Sequence, residues 1–296
     1  MKNNIFTGSG VAIITPMYPD GQVNYDAFKE LIEFQIAGGT DAIVVCGTTG
    51  EASALNDTEH LAVIEYCVKT VAGRLPVIAG TGSNDTRHVV ELSKEAEARG
   101  ADGLLQGTPY YNKTNQSGLI RHFLAVAEAV KIPIVLYNVP SRTGMTIAPA
   151  TYKELASHPR IVATKEASGD ISHIANVMEA CNGELGLYSG NDDQIVPLLS
   201  LGGLGVISVL ANVAPRITHD ICRLYFEGKG KESLALQLQY LPLTNALFSD
   251  VNPIPVKEAV SMAGIAAGPC RLPLGGMAPE KVESLRLQMQ KDGLIA

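Results

Sequence analysis

Short apolar runs rich in Val, Ile and Leu recur along the chain. Each closes on a polar or glycine-rich segment. They fall at 10–16 (stopped by Pro16), 42–46, 76–82, 103–107, 134–137, from Ile161 to the Lys165 region, 185–189 and 205–210. Nearly continuous runs of this composition suit parallel strands buried on both faces. Between most of them, apolar residues recur at helical spacing. Phe28, Leu31, Ile32 and Ile36 predict a helix over 25–37, ended by Gly38-Gly39. Further helices are predicted over 57–71, with Asn56 or Asp57 as cap, from Asp85 or Thr86 to near Gly100, and over 116–130.

A strand-helix unit of roughly 20 to 35 residues, repeated eight times, predicts a (β/α)8 TIM barrel of α/β class. A doubly wound open sheet is the alternative, but no G-x-G-x-x-G opens a helix after a strand. Beyond Asn212 the pattern turns helical, over 216–226, 231–248, 255–263 and 279–291. The expected organisation is a barrel over 1–225 and a C-terminal helical extension over 226–296, with no linker between them.

The chain's 296 residues suit a barrel with such an extension. Cys46, Cys67, Cys181, Cys222 and Cys270 form no CxxC pair and read as reduced, mostly buried thiols. The formal net charge of −7, the pI near 5.4 and the lack of a basic patch argue against nucleic acid or an anionic membrane as partner. No apolar run is long enough to span a bilayer, and no signal-type leader is read at the N-terminus, so a cytoplasmic protein is expected. The six histidines lie far apart without metal-ligand spacing. They read as surface or capping residues, and no metal or other cofactor is expected.

One polar residue breaks the sixth run where it should stay apolar. By strand alternation Lys165 shares a face with Ile161, Ala163 and Ala167. A buried ammonium without a partner loses basicity, and the neutral amine attacks carbonyl carbon. Alone, Lys165 also reads as a strand-end lysine reaching for water or for Glu166. The other strand ends tip the balance, because barrel sites form at the C-terminal ends of strands. Thr48 and Thr49 follow the second strand, Tyr111 the fourth, Tyr137 and Arg142 the fifth, and Gly190 the seventh. Gly47-Thr48-Thr49-Gly50 offers hydroxyls and successive N–H groups suited to a small carboxylate, or is an ordinary glycine turn. Tyr137 is a relay phenol or a core tyrosine; Arg142 is a bidentate carboxylate holder or a surface arginine. Asp192 and Asp193, where barrels often hold phosphate, disfavour a phosphorylated substrate.

Gly47-Thr48-Thr49-Gly50-Glu51, Thr108-Pro109-Tyr110-Tyr111-Asn112, the segment from Tyr137 to Gly144, and Lys165-Glu166-Ala167-Ser168-Gly169 together resemble the dihydrodipicolinate synthases. The likeness extends over essentially the whole chain. The wider family includes N-acetylneuraminate lyases and 2-keto-3-deoxy sugar acid aldolases, and Arg142 resembles the synthase-specific element. The resemblance implies a class I aldolase: a lyase of diaminopimelate and lysine biosynthesis that condenses pyruvate with L-aspartate 4-semialdehyde to 4-hydroxy-tetrahydrodipicolinate.

By the same likeness, Lys165 forms the Schiff base, and Tyr137, Thr48 and Tyr111 relay protons, Tyr111 reaching a neighbouring subunit of a homodimer or homotetramer. Thr49, Gly190 and Ile207 hold pyruvate, and Arg142 holds the second substrate's carboxylate. Ala52, Ser53, Asp57, His60, Asn84, His88 and Tyr110 match the family's lysine-inhibition site. Ala52, Asp57 and His88 depart from it, standing for serine, histidine and glutamate, so weak or absent lysine inhibition is expected. The competing readings are a retro-aldol lyase on a keto-acid sugar and a non-catalytic keto-acid sensor.

Overall fold

The structure, a computed structural model, describes residues 4–296; the first three residues of the expected barrel segment lie outside it. Eight parallel strands close on themselves in chain order. They are β1 (Gly8–Ala12), β2 (Ala42–Val45), β3 (Val77–Gly80), β4 (Gly103–Gly107), β5 (Ile134–Asn138), β6 (Ile161–Glu166), β7 (Gly186–Ser189) and β8 (Gly205–Ser208). β1 pairs with both β2 and β8, which completes the barrel.

Two apolar layers hold it together. The barrel interior is filled by residues such as Val44, Ile78, Leu105, Val135, Ala163, Tyr188 and Ile207. The opposite strand faces pack on the helices, with Ile43, Val45, Leu104 and Leu136 against Phe28, Ile64, Phe123 and Val126. This two-sided burial explains why the strands read as unbroken apolar runs. At the strands' N-terminal end, Tyr188 stacks on Phe6 with ring centroids 4.3 Å apart and donates to the Phe6 carbonyl at 2.6 Å.

Helices Tyr25–Ala37 and Asp57–Val71 match the sequence reading. Asn56 starts the second through a capping box with Glu59, an arrangement worth about 1 kcal/mol. Three expectations are corrected. The first strand ends at Ala12; Ile13 and Ile14 are buried in the loop that follows, with the Ile14 N–H donating to Asn212 Oδ1. The helix expected over 231–248 is two, Gly230–Gln239 and Leu241–Leu247, because Pro242 has no N–H to continue the first and suits the start of the second. Ile161 does not share the face of Lys165. The register of β6 against β5 shifts between Ile134 and Val135, which places Val162 with the interior layer and Ile161 with the outer one.

Helix Pro215–Phe226 packs against β1 and β8 and closes the ring of helices. The remaining helices, Gly230–Gln239, Leu241–Leu247, Ile254–Met262 and Pro279–Lys291, follow it. No described helix is long and apolar enough to cross a membrane.

Candidate active site

Lys165 lies one residue from the end of β6, in register with Tyr137 on β5 and Tyr188 on β7. It is 5% exposed, and its Nζ sits 4.5 Å from the centroid of the Tyr137 ring. Burial brings the ammonium down to about 8; the Asp192 carboxylate opposes that fall and the Arg142 charge adds to it. Glu166 is not its partner. The next side chain along a strand points to the other face, and there Glu166 accepts from Asn138 Nδ2 (2.9 and 3.1 Å), Tyr152 OH (3.0 Å) and the Ser168 N–H (2.9 Å).

Space around the lysine depends on Gly190. A Cβ there would stand 2.7 Å from Ala167 Cβ and 3.1 Å from Lys165 Cε, so a side chain at 190 would displace the amine. Two residues on, Asp192 is buried and accepts from the Val209 and Leu210 N–H groups, both at 3.0 Å. Burial raises its carboxyl, while Ser208, those N–H groups and Lys165 pull the other way. Ile207, on β8, belongs to the interior layer with Tyr188.

The Tyr137 phenol lies beside the Thr48 hydroxyl, and both line the same cavity. Burial makes the phenol a weaker acid, raising its pKa, opposed by the Arg142 charge and the Thr48 hydroxyl. Thr48 and Thr49 lie in a turn bracketed by Cys46 (φ 54°) and Glu51 (φ 56°), two non-glycine residues in left-handed backbone. Such backbone persists only when its surroundings hold it. Here the buried Glu51 carboxylate accepts from Lys257 Nζ (2.8 Å) and the Arg271 N–H (2.8 Å). The Gly50, Glu51 and Ala52 N–H groups turn back onto Gly47 and Thr48 carbonyls.

Arg142 sits in a short turn of helix, Pro140–Thr143, and its Nη2 donates to the Asn252 carbonyl at 3.0 Å. The Asn252 side-chain amide donates to Thr49 Oγ1, also at 3.0 Å.

A cavity of about 470 Å³ opens beside these groups, lined by Thr48, Tyr137 and Arg142 and also by Ala52, Ser53, Asp57, His60, His88 and Tyr110. Lys165 is off the lining. Asn84 is off it as well, and its carbonyl accepts from Asn112. His88 Nε2 is 3.0 Å from Asp57 Oδ1. His60 and His122 are buried, which corrects the surface reading of the histidines. His60 Nε2 lies 2.8 Å from the Gly80 carbonyl, and burial lowers its affinity for a proton.

Tyr111 is the sequence-predicted residue that the fold does not bring to this chain's own site. It is 92% exposed, on a loop where its φ is 68°. Asn252, Lys257 and the holding roles of Glu166 and Asp192 are not visible from the motifs. Asn252 and Lys257 act from the far end of the chain, and Glu166 acts from the hidden face of its strand.

The model of the dihydrodipicolinate synthetase family matches residues 5–292. The chain belongs to that family. The 4-hydroxy-tetrahydrodipicolinate synthase of Lachnoclostridium phytofermentans is 54% identical over 292 residues, covering 98% of this chain and 99% of its own. The crystal structure of the dihydrodipicolinate synthase from Aquifex aeolicus superposes with a TM-score of 0.95 at 44% identity, covering 98% of this chain and 99% of that one. That of the Cyanidioschyzon merolae enzyme with lysine bound gives 0.96 at 38% identity, covering 99% and 100%. A synthase of this family is a lyase of lysine and diaminopimelate biosynthesis, in keeping with the site just described.

Proposed function

We propose that this chain joins pyruvate to L-aspartate 4-semialdehyde, giving 4-hydroxy-tetrahydrodipicolinate by a class I aldolase route, with Lys165 as the nucleophile. The observation that carries it is a buried strand-end lysine, its basicity lowered to about 8, standing 4.5 Å from the ring of a tyrosine whose phenol lies beside a threonine hydroxyl. Lys165 Nζ adds to the keto carbon of pyruvate, and water leaves to give an iminium. The iminium draws electrons from the adjacent methyl group, which loses a proton and becomes an enamine carbon. That carbon attacks the aldehyde. The amine of the second substrate then closes the ring on the imine carbon and releases Lys165.

Tyr137, with the Thr48 hydroxyl beside it, moves the protons of iminium formation and ring closure. Thr49 and the turn around it hold the pyruvate carboxylate, with Gly190 and Ile207 shaping the pocket. Arg142, partly exposed beside the cavity, takes the carboxylate of the second substrate. Tyr111 completes the relay from a second copy of the chain. Its near-complete exposure in the single chain supports that role, since among the described residues no hydrogen bond engages the Tyr111 phenol. The assembly is a homodimer or a pair of such dimers, working in the cytoplasm. Residues 226–296 form the extension that braces the barrel rim over 1–225.

The test is intact-protein mass after borohydride treatment with pyruvate. A pyruvyl adduct is expected on the wild type and not on Lys165→Ala. A wild type without adduct refutes the mechanism and favours the keto-acid sensor.

A further inference from the structure

Asn252 comes from the segment just before helix Ile254–Met262, some two hundred positions from the turn it touches. It is 7% exposed. Its side-chain nitrogen donates to Thr49 Oγ1 at 3.0 Å, and its main-chain carbonyl accepts from Arg142 Nη2 at 3.0 Å. Its side-chain oxygen is buried and, among the described residues, has no hydrogen-bond partner. We propose that Asn252 is a positioning residue that aims the Thr49 hydroxyl proton at the pyruvate carboxylate while its carbonyl anchors Arg142, so that one residue sets the two carboxylate-holding groups relative to each other. This rests on the pyruvate-binding role given to Thr49 above.

An amide nitrogen only donates, so the Thr49 oxygen is the acceptor in this contact. The hydroxyl has one proton, which must then go elsewhere. Thr49 is 3% exposed, so bulk water is a poor recipient. A carboxylate bound in the turn is a strong one, because hydrogen bonds to charged acceptors are the stronger kind. With the amide turned over, Asn252 Oδ1 would take the Thr49 proton and the site would lose its donor. Two N–H groups would then be buried in place of one unpaired oxygen. The observed orientation keeps the threonine proton free for a ligand.

The two linkages run through different atoms. Side-chain substitutions at 252 break the bond to Thr49 and leave the carbonyl that holds Arg142, so the effect should fall on pyruvate first.

The experiment is steady-state kinetics on Asn252→Ala, Asn252→Asp, Thr49→Val and Thr49→Val/Asn252→Ala, beside the wild type carried through the borohydride test. Asn252→Ala frees the hydroxyl to rotate and should raise the pyruvate KM about tenfold with kcat held within about twofold. Asn252→Asp has the same shape but only accepts. It captures the Thr49 proton and sets a negative charge near the bound carboxylate, so the pyruvate KM should rise about a hundredfold. In the Thr49→Val background, Asn252→Ala should add less than about twofold, because the residue it acts through is gone. The inference is overturned if Asn252→Asp is no worse than Asn252→Ala, if the Thr49 and Asn252 losses multiply, or if kcat falls while the pyruvate KM stays put. Should Asn252→Asp fail to fold, the alanine variant and the double variant decide alone. A pyruvyl adduct on the wild type together with any of those outcomes overturns the Asn252 inference only; a wild type without adduct overturns the Thr49 assignment beneath it as well.

Discussion

Replacing Lys165 with methionine should destroy activity and stabilise the fold. Methionine fills similar space without a charge. The native lysine gives up its proton at about 8 instead of the ordinary 10.5, a difference equivalent to about 3 kcal/mol. The sign follows from proton counting. Below about pH 8 the amine is charged in both states, and the folded state bears the full cost of burying it. Between about 8 and 10.5 the unfolded lysine holds more protons than the folded one, so stability rises with pH and the cost fades. Lys165→Met should therefore be more stable than wild type by up to about 3 kcal/mol at pH 7, and by about 1 kcal/mol or less at pH 10. Loss of the ammonium contact with the Tyr137 ring, 4.5 Å away, offsets part of the gain. The diagnostic is thus the narrowing of the gap with pH, read from urea unfolding of both proteins at pH 7 and 10. A gap that is the same at both pH values, or a variant less stable at both, would refute the reasoning. The same shift serves the chemistry. At pH 7 about one molecule in ten carries a neutral Lys165 amine, against about one in three thousand for an ordinary lysine.

Other consequences follow from the charges behind the site. Lys257→Met strands the Glu51 carboxylate in a pair whose side chains are 2% and 0% exposed, and should cost about 3–5 kcal/mol in urea unfolding. Adding Glu51→Gln should recover much of that loss, since no buried charge remains. Glu166→Ala removes the acceptor shared by Asn138, Tyr152 and Ser168, and stopped-flow trapping should show slower imine formation as the ends of β5 and β6 loosen. Lysine should inhibit weakly, with no effect below millimolar concentration in a coupled assay, because Asp57 is engaged by His88. His88→Glu should increase the sensitivity.

The barrel was legible because its strands are buried on both faces and each ends in polar sequence, a pattern that survives without any knowledge of contacts. Lys165 stood out for the same reason: a charge in an apolar run is visible in one dimension. Its facing was misjudged at Ile161, because strict alternation cannot anticipate a register shift between neighbouring strands. Helix 231–248 was drawn through Pro242 because the apolar spacing continues across it. Asn252 carried no local signal. Its partners are Thr49 and Arg142, and only the closed chain brings a residue of the extension against both.

The rim of the barrel is held from behind by buried carboxylates, and this explains why the reactive groups can be so sparsely bonded. Glu51 fixes the turn that carries Thr48 and Thr49, through Lys257 and the Arg271 N–H. Glu166 ties the end of β6 to Asn138 on β5 and to Tyr152 on helix Pro149–Leu155. Asp192 holds the start of the loop after β8 through two N–H groups and sets a negative charge near the amine. A carboxylate suits this work, since it accepts several bonds at once and binds N–H donors more strongly than a neutral acceptor does. Glu51 and Glu166 spend their acceptor capacity on the scaffold, while Asp192 keeps one oxygen without a partner among the described residues; on the proposed mechanism Lys165, Tyr137 and the Thr49 proton are thereby left for substrate. Tyr111 shows the converse. Among the described residues no such acceptor holds it, and it stands in solvent.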